Sequence, residues 1–339
     1  MSDYYMPAEW QAHKRCWMAW PCNESLWPGA LSEAEKNYAA IANAIADFEP
    51  VVMLVQPGQH AQALALMAEQ IAAEKIHLKP WALDDSWMRD FGPTFVINKR
   101  TGELAGVDWT FNGWGKFPHE QDQHLARKLL NELNLERFAS PLVNEGGAIQ
   151  VDGEGTIMLT RNVQLNGNRN PALAQSDVEY QLKQALGVEH FIWFDQGLAE
   201  DHTDGHVDQF ACFTKPGHVL ALTTSDQSDP NYEILQTNLE VLRNSTDAKG
   251  NSFEITTIEQ PPSQWANGER LGKSYINFYI ANGGVVMPSY GLSDFDSAAL
   301  ETVKGCFPER EVVAVDCSVL VLGGGNIHCV TQQELVLAE

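Results

Sequence analysis

One pattern recurs along the chain: a polar or glycine-rich segment precedes short apolar strands and an amphipathic helix. The polar segments contain Asp90 with Gly92-Pro93, Glu145-Gly146-Gly147, Gly205-His206-Val207-Asp208, Asn277 with Asn282-Gly283-Gly284, and Gly323-Gly324-Gly325-Asn326. They follow one another at intervals of roughly fifty to seventy residues, a longer period than solenoid repeats usually have. No Pro- or Ser-rich linker divides the series. The pattern predicts one closed, quasi-repetitive α/β domain over residues 1–339, built of about five strand–helix repeats.

Apolar periodicity predicts the elements between these segments. Ser32-x-x-Glu35 has the form of a capping box, and Tyr38, Ile41 and Ile45 follow at helical spacing. Residues 51–55 are predicted as a buried strand, and residues 94–97 as a strand that a hairpin turn closes at residues 98–102. Further helices are predicted near residues 59–75, 121–135, 172–186, 232–246 and 293–306.

The charge balance excludes some classes of partner. The chain has 22 Lys and Arg residues against 45 Asp and Glu residues, which gives a formal net charge of −23. Such a charge repels nucleic acid and anionic membranes and favours cationic ligands, although solubility alone would explain the sign equally well. We therefore expect a small-molecule cationic ligand, with no nucleic-acid and no membrane partner.

The six cysteines are scattered without a C-x-x-C pair, which predicts reduced thiols and a cytoplasmic protein. Met1 leads into Ser2-Asp3-Tyr4-Tyr5, which lacks the basic and apolar regions of a signal peptide. No apolar run approaches the length of a membrane span. There is no P-loop and no G-x-S-x-G motif, so nucleotide binding and serine hydrolase chemistry have little support.

Cys329 is the candidate nucleophile. It follows a run of three glycines, and glycines let backbone N–H groups approach a ligand closely, so Gly324 is a candidate binding position. The alternative is a core cysteine, because cysteine is among the residues most often buried.

His206 and Asp208 are candidates for proton transfer and cation binding. In an extended segment, residues two apart share a face, so both side chains are expected to project into one space. A structural His–Asp pair is the alternative. His202 and His206 also have the spacing of a helical zinc pair, but Gly205 and Val207 fit poorly into a helix, and no metal site is predicted.

Asp90 and the tryptophans around it suit a cationic ligand. Gly92-Pro93 fixes a turn after Asp90, and Trp87 and Trp114 offer indole faces for cation–π contact. A buried ion pair of Arg89 with Asp90 or with a neighbouring residue, and ordinary packing of the indoles, are the alternatives.

These motifs together resemble the agmatine deiminases of the Porphyromonas-type peptidyl-arginine deiminase family, in the guanidino-group-modifying superfamily. The resemblance runs from Met6-Pro7-Ala8-Glu9-Trp10 to Gln333, and the order and spacing of five motifs make it specific. It implies a five-bladed, pseudo-symmetric α/β propeller of the pentein type around a negatively charged pocket, without metal or cofactor. It also implies that a homodimer can form.

The resemblance implies a role for each candidate residue. Cys329 is the nucleophile, His206 the general acid and base, and Asp90 and Asp208 the carboxylates that hold the guanidinium. Further residues that line or support the pocket are Trp87, Trp114, Asn277, Glu145, Asp204 and Gly324. The expected reaction is hydrolysis of agmatine to N-carbamoylputrescine and ammonia through a thiouronium on Cys329.

One departure from the family pattern leaves the binding set open. Several relatives carry an acidic residue where this chain has His202, and Asp204 or Asp201 is the expected substitute. The rival functions are a peptidyl-arginine or free-arginine deiminase, a zinc-dependent hydrolase, and a non-catalytic polyamine-binding protein.

Overall fold

Strands and helices alternate along the residues that the computed structural model describes, 2–266 and 268–337. The strands are β1 Tyr4–Tyr5, β2 His13–Ala19, β3 Val51–Val55, β4 Ile76–Pro80, β5 Thr94–Asn98, β6 Leu104–Thr110, β7 Glu136–Val143, β8 Ile149–Val151, β9 Thr156–Thr160, β10 His190–Phe194, β11 Ala211–Lys215, β12 His218–Thr223, β13 Glu254–Glu259, β14 Trp265–Ala266, β15 Glu269–Arg270, β16 Tyr279–Ala281, β17 Gly284–Ser289, β18 Glu311–Asp316 and β19 Thr331–Leu335. The α-helices are α1 Leu31–Ile45, α2 His60–Leu66, α3 Ala68–Ala72, α4 Met88–Phe91, α5 Leu125–Glu132, α6 Arg161–Gln164, α7 Gln175–Leu186, α8 Asn231–Asn244 and α9 Ser293–Cys306.

Five sheets of the described residues share one connection, in which an antiparallel pair is followed by a helical crossover to a parallel strand. These units are β5-β6-α5-β7, β8-β9-α7-β10, β11-β12-α8-β13, β16-β17-α9-β18 and β19-β2-α1-β3. Strands β1 and β4 extend two of these sheets, and β14 pairs with β15 in a separate hairpin. The fold is a mixed α/β fold, as the sequence pattern predicts.

The last of these units is built from both ends of the chain. Strand β19 pairs antiparallel with β2, so that Gln333 lies opposite Cys16. Strand β2 then pairs in parallel with β3, and helix α1 connects the two strands. The C-terminal strand therefore completes the sheet that the N-terminal segment begins.

Burial explains the apolar run of β3. All residues of β3 are buried, since it lies between two parallel neighbours, β2 and β4, and carries α1 on one face. Helix α1 buries Tyr38, Ile41 and Ile45 on one face, as their spacing predicts. Most buried apolar side chains form one cluster that extends from β2 to β19.

Two local predictions are wrong. Helix α1 begins at Leu31 after Ala30, which offers no side-chain cap; Ser32 lies inside the first turn. Glu35 is buried and accepts a hydrogen bond from Trp20 Nε1 at 3.1 Å instead of closing a capping box. The predicted helix over residues 59–75 is interrupted at Met67, which has φ −121° and ψ 19°.

Other local predictions are confirmed. Strand β5 is followed by a turn in which Asn98 Oδ1 accepts the Arg100 N–H at 3.0 Å, and β6 returns antiparallel to β5. Helices α7 and α8 lie within three residues of their predicted bounds, and α9 matches its predicted bounds. No helix among residues 2–266 and 268–337 combines the length and the apolarity that crossing a bilayer requires.

Candidate active site

The residues of the site come from equivalent places in the five units, just before the first strand of each. Asp90 precedes β5, Gly147 precedes β8, Asp208 precedes β11, Asn277 precedes β16 and Cys329 precedes β19. Three of these segments form single helical turns, namely α4, Gly146–Ala148 and Val207–Gln209. A short turn before a strand fixes the direction of its side chains, because the strand that follows is held in a sheet.

Cys329 is buried among polar groups. Its Sγ lies 3.4 Å from Asn277 Oδ1, 3.7 Å from Asp208 Oδ2 and 3.7 Å from Gln209 Nε2. Burial raises the pKa of this thiol well above its ordinary value, and the carboxylates of Asp208 and Asp90 raise it further. The thiol is therefore protonated at neutral pH, and a bound cation would favour the thiolate.

Gly147 lies where three ionisable side chains meet. A Cβ at this position would stand 2.6 Å from His206 Nδ1, 2.9 Å from Asp208 Oδ2 and 2.9 Å from Asp90 Oδ1. Only a residue without a side chain leaves room for all three groups, so the gathering of these groups depends on this glycine.

His206 is buried between two carboxylates. Its Nε2 lies 3.4 Å from Glu145 Oε2 and its Nδ1 lies 3.8 Å from Asp90 Oδ2, without hydrogen-bond geometry. Burial alone lowers the pKa of His206, but the negative charges of Asp90, Glu145 and Asp208 outweigh it and raise the pKa to about 9. The imidazole is therefore protonated at neutral pH.

Asp90 does not form an ion pair with Arg89, which was the alternative to a ligand-binding role for this carboxylate. Its Oδ2 accepts the Trp114 Nε1–H at 2.9 Å, and its Oδ1 accepts the Gly147 N–H at 2.9 Å. Burial raises the pKa of Asp90 to about 6, against the lowering effect of His206. Arg89 instead donates to Gln333 Oε1 at 2.8 Å.

Asp208 is held by a histidine that the sequence analysis did not single out. The segment is a turn and not an extended strand, and Asp208 Oδ2 lies 2.8 Å from His328 Nδ1. His328 Nε2 lies 2.9 Å from Glu9 Oε1. Burial and Arg89 lower the pKa of His328, but Glu9 and Asp208 outweigh them and raise it. His328 stands beside Cys329 in its motif, and Glu9 belongs to the N-terminal motif. Nothing in the sequence near either residue indicates that the two pair.

Arg169 supports the site from outside the pocket and was also missed. Its side chain is fully buried; Nε donates to Glu145 Oε1 at 2.7 Å, and Nη1 donates to the Trp114 carbonyl at 2.7 Å. Nη1 also lies 2.9 Å from Asp204 Oδ2, and Lys116 Nζ lies 2.6 Å from Asp204 Oδ1. The carboxylate of Asp204 is therefore already paired, in a position that supports the site and does not face the pocket.

The pocket above Cys329 has aromatic walls. Its lining residues are Leu26, Asp85, Trp87, Asp90, Trp114, Phe117, His202, Thr203, Gly323, Gly324, Gly325 and Cys329. Trp87 stacks on Trp27, with ring centroids 6.0 Å apart and an interplanar angle of 30°. Trp114 has a positive φ of 55°, which directs its indole towards Asp90.

The glycine run makes room for side chains of this chain. A Cβ at Gly325 would stand 2.5 Å from Trp87 Cζ3, and one at Gly324 would stand 2.8 Å from His202 Nδ1. The expectation that these glycines expose N–H groups to a ligand therefore needs correction, since the space beside them is filled by rings. Gly324 still lines the pocket.

His202 and His206 diverge, because the residues between them form turns and not a helix. His202 lies at the rim, with Nε2 3.3 Å from Glu269 Oε2, while His206 is buried. Within the part of the chain that the structure describes, no group of three or more His, Cys, Asp or Glu side chains is placed to hold a metal ion.

Comparison with known proteins identifies the family of the chain. The Porphyromonas-type peptidyl-arginine deiminase family matches residues 5–334. A Legionella pneumophila protein is 47% identical over 334 residues, which cover 98% of this chain and 94% of that protein. The agmatine deiminase of Pseudomonas aeruginosa is 42% identical over 356 aligned positions, covering 98% and 95%.

A solved structure is similar along the whole chain. The agmatine deiminase of Enterococcus faecalis, solved while catalysing its reaction, superposes with a TM-score of 0.92 at 34% identity. The match covers 99% of this chain and 97% of that one. On the extent of these matches, the chain belongs to the Porphyromonas-type peptidyl-arginine deiminase family.

Proposed function

We propose that this chain is an agmatine deiminase, which hydrolyses agmatine to N-carbamoylputrescine and ammonia. One observation carries the proposal: a buried thiol, a protonated imidazole and three carboxylates meet at the base of a pocket walled by indoles. The agmatine deiminases among its relatives support the choice of substrate. The reaction makes the chain a hydrolase of carbon–nitrogen bonds.

The carboxylates bind and orient the guanidinium group. Asp90 and Asp208 accept N–H donors of the planar cation and keep it charged, hence electrophilic. The cation offsets the negative charges that raise the pKa of Cys329, so the thiol releases its proton to solvent when substrate binds. Trp87 and Trp114 enclose the methylene chain.

The first chemical step forms a covalent intermediate. Cys329 Sγ attacks the guanidinium carbon and a C–S bond forms. Protonated His206 donates its proton to the departing nitrogen, the C–N bond breaks, and ammonia leaves. A thiouronium remains on Cys329, and His206 is neutral. Glu145 supports this role, because it lies beside His206 Nε2 and stabilises the protonated ring.

The second step hydrolyses the intermediate. Water gives a proton to His206 and adds its oxygen to the same carbon. The hydroxyl of the adduct gives its proton to the sulfur as the C–S bond breaks, N-carbamoylputrescine is released, and His206 stays protonated for the next cycle. Asn277 positions Cys329, since its Oδ1 accepts the Cys329 N–H at 3.3 Å and lies close to Sγ.

We also infer that the five units are the blades of a propeller, with the site at the centre. Their shared connection and the pairing of β19 with β2 support this arrangement. All six cysteines are free, which supports a reducing, cytoplasmic location.

Ammonia release by the purified protein tests the function. Agmatine, free arginine and a blocked arginyl peptide are supplied in parallel to the native chain and to Cys329→Ser. We expect turnover of agmatine only, and a loss of at least roughly a thousandfold in kcat for Cys329→Ser, because a hydroxyl is a far weaker nucleophile here.

Cys306→Ser is the matched control, because Cys306 lies at the end of α9 and outside the pocket. It should keep full activity. Turnover of arginine or the peptide in place of agmatine would refute the substrate. Binding of agmatine without ammonia release would indicate a polyamine-binding protein, and full activity of Cys329→Ser would refute the mechanism.

A further inference from the structure

The pocket is lined by a second acidic residue that the proposed reaction does not use. Of its lining residues, only Asp85 and Asp90 are acidic. Asp90 lies at the base, where it accepts hydrogen bonds from Trp114 and Gly147. Asp85 reaches the pocket from the segment that precedes Trp87, and its role is unassigned.

The backbone around Asp85 is held in place. The Ser86 N–H donates to Asp85 Oδ1 at 2.8 Å, and Ser86 Oγ lies 2.8 Å from the Tyr38 hydroxyl. The Asp84 N–H donates to Asp122 Oδ1 at 3.0 Å, which ties this segment to the one that begins α5. Asp85 therefore lies in a fixed loop that lines the pocket.

Among the residues that the structure describes, Asp85 has no cationic partner. It is only 5% exposed, and no Lys, Arg or His of the described residues forms an ion pair with it, unlike Glu145, Asp204 and Asp208. Burial raises the pKa of Asp85 to about 7, against the lowering effect of hydrogen bonds from Ser86, Trp87 and Asn23. A buried carboxylate without a cationic partner is costly, and a ligand ammonium group at this place would offset that cost.

We propose that Asp85 binds the ammonium group at the far end of the substrate and so selects guanidines that end in an amine. This inference rests on the proposed deiminase function. The two cationic ends of one substrate then face two separate acidic groups, with indole walls along the methylene chain between them. A guanidine that carries a carboxylate at the far end would be repelled by Asp85.

Glu269 is the competing acid, because His202 lines the pocket and Glu269 lies beside it. The Glu269 side chain is 69% exposed and pairs with His202 at the rim. A solvated and already paired carboxylate contributes little to ligand binding. The geometry therefore favours Asp85.

Steady-state kinetics with two substrates test the inference. Agmatine carries the ammonium group, and n-pentylguanidine has a methyl group in its place. The variant is Asp85→Asn, which keeps the shape of the side chain and removes its charge. The controls are Asp84→Asn, which makes the same change one residue away and outside the pocket lining, and Glu269→Gln.

Asp85→Asn should raise KM for agmatine by roughly tenfold or more, with kcat within about twofold, because the lost contact is equal in the ground and transition states. Its KM for n-pentylguanidine should change by less than about twofold. Asp84→Asn and Glu269→Gln should resemble the native chain with both substrates. The native chain should prefer agmatine to n-pentylguanidine by roughly tenfold in kcat/KM. This comparison of two substrates requires no variant.

An equal loss with both substrates would overturn the inference, because Asp85 would then only support the wall at Trp87. A loss of discrimination in Glu269→Gln, or equal kcat/KM for the two substrates in the native chain, would overturn it as well. Failure of the deiminase function is a separate result, since the native chain would then release no ammonia from agmatine.

Discussion

At the scale of single residues, the glycines of the site matter for the space they leave. Because Gly147 has no side chain, His206, Asp208 and Asp90 can all approach it closely. Gly325 leaves room in the same way for the ring of Trp87. In both places the neighbour is a side chain of this protein and not a ligand. A glycine next to a catalytic motif can therefore be a packing requirement of the site itself.

Gly147→Ala is expected to reduce kcat/KM by at least roughly a hundredfold, because small displacements of catalytic groups are costly. The added methyl group would lie within 3 Å of atoms of His206, Asp208 and Asp90, and these groups must move apart. The measurement is ammonia release from agmatine, with the thermal midpoint recorded alongside.

Gly167→Ala is the control, because a Cβ there meets no atom within 4 Å and its φ is not positive. It should keep native activity. A fully active Gly147→Ala variant would show that the three groups need not meet at this point.

At the scale of elements, the site depends on turns that are tied to one another. The Gly113–Gly115 turn carries Trp114, and the segment near Asp204 precedes His206. Arg169 bonds to both and to Glu145, so one buried cation joins three separate segments. The Asn-rich stretch around Arg169 gives no sequence signal for this role beyond a turn.

Arg169→Met is expected to lower the free energy of unfolding by about 3–5 kcal/mol, because it leaves Glu145 buried without its partner. Urea denaturation measures the loss. The double variant Arg169→Met, Glu145→Gln should recover part of it, since the uncompensated charge is then absent.

Arg127→Met is the matched control, because Arg127 lies exposed on α5. Its unfolding free energy should stay within about 0.5 kcal/mol of the native value. If the double variant is no more stable than Arg169→Met alone, the ion pair with Glu145 is not the source of the loss.

At the scale of the whole molecule, the two ends of the chain meet at the nucleophile. Strand β19 joins the sheet of β2, and Glu9 pairs with His328 next to Cys329. Burial raises the pKa of Glu9, but His328 and Arg89 outweigh it and hold the pKa at about 2. The active site and the joining of the chain ends therefore share the same contacts.

The Glu9 contribution to stability should depend on pH. The pKa of Glu9 is about 2 in the folded chain and about 4.5 ordinarily, so its contribution is complete above about 4.5 and is lost as pH falls towards 2. Native chain should exceed Glu9→Gln in urea midpoint at pH 6, and this difference should shrink steadily between pH 4.5 and 3.

Glu24→Gln serves as the control for this series, because Glu24 is exposed. It should follow the native chain at every pH. A difference between the native chain and Glu9→Gln that stays constant down to pH 3 would contradict the assigned shift of Glu9.

The sequence by itself determined the local structure and the class of chemistry. Apolar periodicity placed α7, α8, α9 and β3 close to their observed bounds, because the period and burial of an element are written in neighbouring residues. The motifs gave the family, the mixed α/β fold and the hydrolase class, all of which are confirmed. The single domain over residues 1–339, the propeller and the residue roles remain predictions.

Only the tertiary structure decided which of these residues touch. Glu9 and His328 are 319 positions apart, and Arg89 bonds to Gln333 where a contact with its neighbour Asp90 was the alternative. Such pairings depend on how all the sheets pack together, and the apolar periodicity of the sequence does not indicate them. Local propensity acts over a few residues, whereas a hydrogen bond between chain ends exists only once the whole fold has formed.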